Sequence, residues 1–257
     1  INRLSLGVQT FEAKLNEKLA RGHNVEEALE IIELAKSVGF ENLSIDLIYG
    51  LPKQTMQDWQ NTLKIAFSQN IQHISVYSLA IEEGTPYKAI YKSEAHPLLP
   101  QEDALADMYS FLQEEALKKG FRHYEVSNYA KPGYESQHNL NYWQNEAFYG
   151  FGVSAHQFVN GKRQANTKNL NEYIQNPIAK TELDCNPEIE ELMLKLRTSS
   201  GINLEEYKSK FQVDIAENKK EIIAKMQSEG LVQQKGSKLK ITNKGFILST
   251  QIISQLL

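Results

Sequence analysis

The six residues HNLNYW, His138 to Trp143, bring an imidazole, two amides, a phenol and an indole together in one short stretch. An imidazole changes charge near neutral pH and is a common metal ligand. Tyr142 and Trp143 add flat amphipathic surface, with a hydroxyl and an indole N–H that need partners when buried. The stretch lies between Gly133 and Gly150, and its apolar residues follow neither period 2 nor period 3.6, so a loop is expected here. A second position with chemical content is Asp46, inside SIDLIYG, because a carboxylate in an apolar strand is costly unless paired. The single cysteine, Cys185, cannot form an internal disulfide and reads as a structural thiol in a reducing compartment.

These residues need a frame. RLSLGVQ (3–9) reads as a strand, followed by a helix with Asn24 as N-cap, Glu27 three residues on and Gly39 at its stop. NLSIDLIYGL (42–51) is a second strand, leading past Pro52 to a helix opened by Thr55. HISVYSLA (73–80) is a third, then a short helix from Thr85-Pro86 and a longer one over 101–119. FRHYEVSNY (121–129) is expected as a fourth strand. Strands alternating with helices imply parallel pairing with right-handed crossovers, as in a barrel or a doubly wound sheet. Only two residues precede the first strand, too few to cover its outer edge, so the reading expects an N-terminally truncated barrel whose open edge favours self-association. In IYGLPKQT, Gly50 and Pro52 read as a strand end and turn. YGFGVSA (149–155) is a loose Gly-x-Gly without a third glycine, and its glycines read as sites of close backbone approach.

Asn160-Gly161 signals a hairpin, 169–176 a helix, and 177–187 a linker. From 188 to 257, three helices and a two-stranded wing suggest a small winged-helix-like α+β domain. That segment holds eleven basic and nine acidic residues, a weak footprint for reading nucleic acid. The whole chain, 257 residues with 41% hydrophobic and 23% charged content and a net charge of -4, has the composition of a soluble globular protein and gives no global reason for a nucleic-acid partner. No apolar run approaches the roughly 18 residues of a membrane span, and the first residues lack a signal-peptide pattern, so the cytoplasm is the expected location.

NRLSLGVQTF, Arg21, SIDLIYGLPKQT, HISVYSLAIEEGTP, HYEVSNYAKPG, HNLNYW and YGFGVSAHQF resemble, in order, blocks of the HemW family within the radical S-adenosylmethionine superfamily, related to oxygen-independent coproporphyrinogen III oxidase. The resemblance implies an α/β fold: the C-terminal part of a (β/α)6 partial barrel over 1–176, the linker, and the winged-helix-like domain over 188–257. It implies a heme chaperone that transfers heme to an acceptor protein, respiratory and membrane-associated acceptors included. S-adenosylmethionine and a 4Fe-4S cluster would serve the intact protein. His138, Asn139, Tyr142 and Trp143 match the heme motif, with His138 the candidate iron ligand. Gln9, Arg21, Asp46 and Ala80 match positions that contact S-adenosylmethionine. His156 matches a place where the oxidase relatives contact a second cofactor molecule. Without the resemblance, Trp143 plugs the barrel end, Tyr142 packs beside it and His138 bonds a backbone group. Gln9 is then a strand-end polar group, Arg21 a surface charge and Ala80 small packing. One departure is decisive for the cluster. The family's Cys-x-x-x-Cys-x-x-Cys loop is absent and Cys185 is alone, so this chain is expected to build no cluster and to lack radical activity. The oxidase reaction, and an interaction module on an inactive barrel, are the alternative readings.

Overall fold

The computed structural model describes residues 1–19, 21–91, 96–177 and 180–257. Contacts divide them into two compact units, Ile1–Glu135 and Ser136–Leu257.

In the first unit the expected alternation is present. β1 (Leu4–Gln9) is followed by α1 (Ala13–Leu19) and α2 (Val25–Ser37), then β2 (Leu43–Tyr49), α3 (Met56–Ser68) and β3 (His73–Ser78). α1 has no counterpart in the sequence reading; its 7 residues bury only Leu15 and Asn16, too short a stripe to show periodicity. Asn24 with Glu27, and Thr55 with Asp58, form reciprocal capping boxes at the starts of α2 and α3. α4 (Pro86–Ile90) and α5 (Glu102–Lys118) come next. FRHYEVSNY, expected as one strand, is instead a hairpin of β4 (Arg122–Glu125) and β5 (Asn128–Ala130). No Asn-Gly or Asp-Gly marks its turn. Glu125 closes it, its carboxylate accepting from Ser127 N–H at 3.2 Å and from the Asn128 amide. The sheet order is β1-β2-β3-β5-β4, with the first three strands parallel and β5 antiparallel to β3.

Register gives this sheet two unlike faces. Leu6, Ile45, Ile74 and Tyr129 align across β1, β2, β3 and β5, and on the same parity Leu47 and Tyr49 face the helices, where Tyr49 meets Trp59 of α3 and Tyr109 of α5. Trp59 is fully buried and its indole N–H donates to Met108 O at 2.8 Å, so its large apolar surface is covered without leaving a donor unpaired. The opposite parity is polar: Ser5, Ser44 and His73 form one row, and Gly7, Asp46, Ser75 and Asn128 the next.

The second unit opens with α6 (Gln137–Trp143), continues through the hairpin β6 (His156–Val159) and β7 (Lys162–Asn166), α7 (Leu170–Gln175) and β8 (Lys180–Glu182), and reaches α8 (Pro187–Leu196). Asn160 and Gly161 turn the hairpin with φ of 53° and 73°, as the Asn-Gly signal requires. The expected linker is partly structured: β8 pairs with β7, and residues 178–179 lie outside the described residues. The expected boundary near 176 also differs, because residues 136–176 cohere with α8. Arg163 Nε donates to Glu190 Oε1 of that helix at 2.8 Å, and Lys195 Nζ reaches Gln144 O at 3.3 Å. Beyond α8 come β9 (Ile202–Asn203), α9 (Leu204–Phe211), α10 (Ile215–Asn218), α11 (Lys220–Ser228), the wing β10 (Val232–Lys235) and β11 (Lys238–Ile241), and α12 (Ser249–Leu256). The strand order β10-β11-β9, packed with α8, matches the expected winged-helix-like module.

Candidate functional site

HNLNYW is a helix, not a loop. Ser136 caps it, its hydroxyl accepting from Asn139 N–H at 3.4 Å, and the segment's hidden order is i,i+4: His138 over Tyr142, Asn139 over Trp143. The His138 and Tyr142 rings meet edge-on with centroids 4.8 Å apart, and Tyr142 meets Phe148 edge-on at 4.5 Å. Phe148 is held by paired backbone bonds to Phe158 and by the Arg163 guanidinium, which lies 5.5 Å from the Phe148 ring and 4.3 Å from that of Phe158. Arg163 is itself fixed by Glu190 and by Asn145 Oδ1 at 2.7 Å. Four sequence-distant side chains thus back one short helix. His138 is exposed, and among the described residues no hydrogen bond engages its ring nitrogens. Tyr142 and Trp143 are half-buried. The expectation of a backbone bond from His138 is not met. Phe148 and Arg163 escaped sequence reasoning, since nothing local announces that an arginine will lie between two phenylalanines.

The other candidates lie on the first unit's sheet. Gln9 ends β1 behind a break in register, with φ of 68°, a conformation unfavourable for a residue with a side chain. Its amide turns back over Gly7: a Cβ on Gly7 would sit 2.9 Å from Gln9 Nε2 and 3.5 Å from Arg21 Nη2. Gly7 in turn is the ladder partner of Asp46. An amide, a guanidinium and a carboxylate therefore gather around one bare stretch of backbone. Asp46 also accepts from Ser5 Oγ at 3.0 Å. Tyr77, 45% exposed farther along the same face, has its phenol pushed up by burial first and by Asp46 next. Ala80 is set apart from the Gly7 cradle. It lines a cleft of about 1010 Å3 beyond the ends of β2 and β3, walled by Gly50, Ser78 to Glu82 and Leu99 to Asp103. That volume accommodates a ligand of several hundred daltons, and the ends of parallel strands are where such folds place them.

Toward the other end of the strands the polar face closes on itself. Ser44 Oγ lies 2.8 Å from His73 Nδ1, and His73 Nε2 lies 2.8 Å from Tyr124 Oη. Burial, with the charge of Arg3 nearby, lowers the His73 pKa to about 3, so the ring is a neutral link. Arg3 Nη1 is buried without a hydrogen-bond partner among the described residues. Glu125, almost fully buried, is raised to about 7 by desolvation, against the opposing Ser127 N–H. The signal that would have found this face is the alternation Ser44-Asp46 and His73-Ser75-Tyr77, polar at every second residue. His156 is exposed at the start of β6, and Cys185 precedes α8 with no metal-binding group of His, Cys, Asp or Glu among the described residues. No described helix is long and apolar enough to cross a membrane.

Comparison with known proteins places this geometry. Residues 1–66 match the model of the radical SAM superfamily and residues 189–248 that of the HemN C-terminal domain. The heme chaperone HemW of Lactococcus lactis is 35% identical over 265 residues, covering 100% of this chain and 69% of the relative. That of Bacillus subtilis is 35% identical over 266 residues, covering 100% and 70%. That of Escherichia coli is 38% identical over 156 residues, covering 61% and 40%. Among solved structures, the coproporphyrinogen III oxidase HemN of Escherichia coli, described as a radical SAM enzyme, superposes with a TM-score of 0.78 at 20% identity. It is matched over 100% of this chain and 64% of its own, a likeness of fold. Identity over the full chain and the two family domains agree: this chain belongs to the HemW family of the radical SAM superfamily.

Proposed function

We propose that this protein is a heme chaperone that takes up heme on α6 and passes it to an acceptor protein, respiratory and membrane-associated proteins being the acceptors in view. The observation that carries the reading is His138: an exposed imidazole whose nitrogens have no hydrogen-bond partner among the described residues, on a helix whose Tyr142 packs on Phe148, which Arg163 holds in turn. Bound heme would supply an iron that an imidazole nitrogen can ligate. His138 would hold the iron, with Asn139, one residue on, orienting the imidazole. Tyr142 and Trp143 would cover the macrocycle and offer a hydroxyl and an N–H to the propionates.

Gln9, Arg21, Asp46 and Ala80 are proposed to hold S-adenosylmethionine, and the residues fit that role. The Gly7 cradle presents donors to a carboxylate and an acceptor to an ammonium, while Ala80 lines a separate cleft of about 1010 Å3. A 4Fe-4S cluster does not fit the residues of this chain, since Cys185 alone cannot replace three thiolates.

Titrating hemin into the wild-type chain and into His138→Ala tests the proposal. The wild type should give a shifted Soret band that the variant loses or shows much weakened. Equal affinity and identical spectra would remove His138 as the ligand.

A further inference from the structure

The charges of the winged-helix-like module are not mixed along it. Residues 188–218 hold four basic and seven acidic side chains, whereas 219–257 hold seven lysines against Glu221 and Glu229. Among the described residues none of those seven lysines forms an ion pair, while Lys208 pairs with Asp214 and Lys210 with Glu191. Three of the seven share the outer face of the wing. Lys235 stands directly opposite Lys238, and Lys240 opposite Gln233, while Val232, Leu239 and Ile241, on the alternate parity, are buried. Lys235 and Lys238 are exposed and Lys240 is half-buried. Like charges directly across a ladder are destabilising. The wing, 232–241, has no acidic residue to offset them, and Glu206, just past β9, is held by Asn203 Nδ2 at 2.8 Å. The backbone that carries the lysines is fixed: Leu204 N–H donates to Ser237 O at 2.8 Å, and Lys238 and Leu239 pair with β9. Gly236 turns the tip at φ 58° with open space around it.

We infer that the outer face of the wing, with Lys235, Lys238 and Lys240 on one fixed hairpin, binds the phosphate backbone of a nucleic acid without regard to sequence. The residue types argue for that occupant. Lysines are point charges that neutralise phosphates, and the Gln233 and Ser237 side chains belong to the types that add phosphate contacts. The wing holds neither arginine nor an aromatic ring, the groups that pair with a guanine edge or stack on a base, so nothing on it reads sequence. A carboxylate-rich protein surface is met best by arginine forks, and residues 198–257 contain no arginine. A bilayer is met best by an apolar tip, and this one is Lys235-Gly236-Ser237-Lys238. The balanced total over 188–257 hides this face, because the acidic side chains lie mostly in the other half of the module. The site needs nothing of the heme reading of α6.

Fluorescence anisotropy of a labelled mixed-sequence DNA duplex of about 20 base pairs tests the site on the full chain. At about 50 mM salt the wild type should bind with a Kd on the order of 10 µM, and raising salt to about 200 mM should weaken binding by about fortyfold, the slope of three neutralised phosphates. Lys235→Gln/Lys238→Gln/Lys240→Gln should bind at least about tenfold more weakly at the lower salt and lose most of the salt dependence. Arginine at the same three positions keeps the charges and should keep the binding, which separates loss of charge from any effect of the glutamines on folding. Lys64→Gln/Lys119→Gln/Lys168→Gln changes the net charge equally at exposed positions elsewhere and should leave binding unchanged. A wild type that does not bind the duplex overturns the site, as does a wing variant that binds no more weakly than wild type or an arginine variant that loses binding with the glutamine one. Equal loss in the control variant reduces the effect to net charge and also overturns it. The same titrations with phosphatidylserine vesicles and with polyglutamate name the other occupants: tighter binding to either than to the duplex overturns the nucleic-acid site in favour of a membrane or an acidic protein.

Discussion

Two histidines of this chain stand in opposite circumstances. His73 is fully buried, held at both nitrogens by Ser44 and Tyr124, and neutral. Among the described residues His138 is exposed with neither nitrogen engaged, although the ring it leans on, Tyr142, packs on a phenylalanine that an arginine holds. The same side chain is structural where its hydrogen-bonding capacity is used inside the fold, and available where the fold holds the backbone but leaves the nitrogens open. The sheet of the first unit repeats the contrast within itself. Around His73 the polar face is closed, whereas around Gly7 the Gln9 amide and the Arg21 guanidinium converge on bare backbone and Tyr77 is half in water. The Gly7 cradle lies near the C-terminal end of β1, and the C-terminal ends of the strands are where a ligand is expected in a parallel sheet.

The strongest way to break the comparison is His73→Ala. It leaves a small cavity and strips a partner from Ser44 and Tyr124, both buried, at a loss of roughly 3 kcal/mol in chemical denaturation at neutral pH. The direction of the shift sets the pH dependence. The folded ring takes a proton only near pH 3 and the unfolded ring near 6.5, so between those values the unfolded chain binds more protons. Stability from the neutral ring is therefore complete above pH 6.5 and declines as pH falls toward 3. The deficit of the variant should narrow over the same range. A deficit below 1 kcal/mol, or one that grows on acidification, would show that the Ser44–His73–Tyr124 link is not structural.

Glu125 sharpens the comparison with a smaller effect of opposite sign. Its folded pKa of about 7 lies above the ordinary 4.5, so between those values the folded chain binds the extra proton. Its contribution is complete below pH 4.5 and is lost as pH rises through 7. Glu125→Gln has no proton to release. The variant should match wild type near pH 4 and exceed it by about 2–3 kcal/mol at pH 8 in urea titrations. A variant less stable than wild type at pH 8 would mean that the ionised carboxylate, closing the turn through Ser127 and Asn128, outweighs its own desolvation.

Much of this was legible in the sequence, for identifiable reasons. Capping boxes at Asn24 and Thr55, the Asn-Gly turn and the spacing of apolar strands act over a few residues, and each element formed where they pointed. The β4–β5 hairpin was missed because its turn, Val126-Ser127, lacks the glycine of a two-residue hairpin signal and depends on a carboxylate from the flanking strand. α6 was missed because its helical order lies in i,i+4 pairs of polar and aromatic residues, which an apolar period does not count. Of the candidate sites, the motif residues could be named, but Phe148 and Arg163 could not, since their positions depend on the β6–β7 hairpin and on Glu190 of α8. The division of the chain after Glu135 was likewise invisible, being set by those same long-range contacts.

The smallest expected effect closes the comparison and protects the heme test. His138→Ala removes one edge-on ring contact with Tyr142, worth on the order of 0.5 kcal/mol at an exposed site. It also replaces histidine by the best helix former, in the first turn of α6, which returns part of that amount. No buried hydrogen bond is broken and no cavity forms, because the imidazole is in solvent and unengaged. The two contributions should cancel to within about 0.5 kcal/mol, an effect several-fold smaller than that of His73→Ala, measured as the shift in urea midpoint at unchanged slope. If the shift corresponds to more than about 1 kcal/mol, His138 helps hold α6 together, and a lost Soret band in the variant would then report a disturbed helix as readily as a missing ligand. If the midpoint stays put while the Soret shift disappears, the imidazole is present on that helix for something other than the fold.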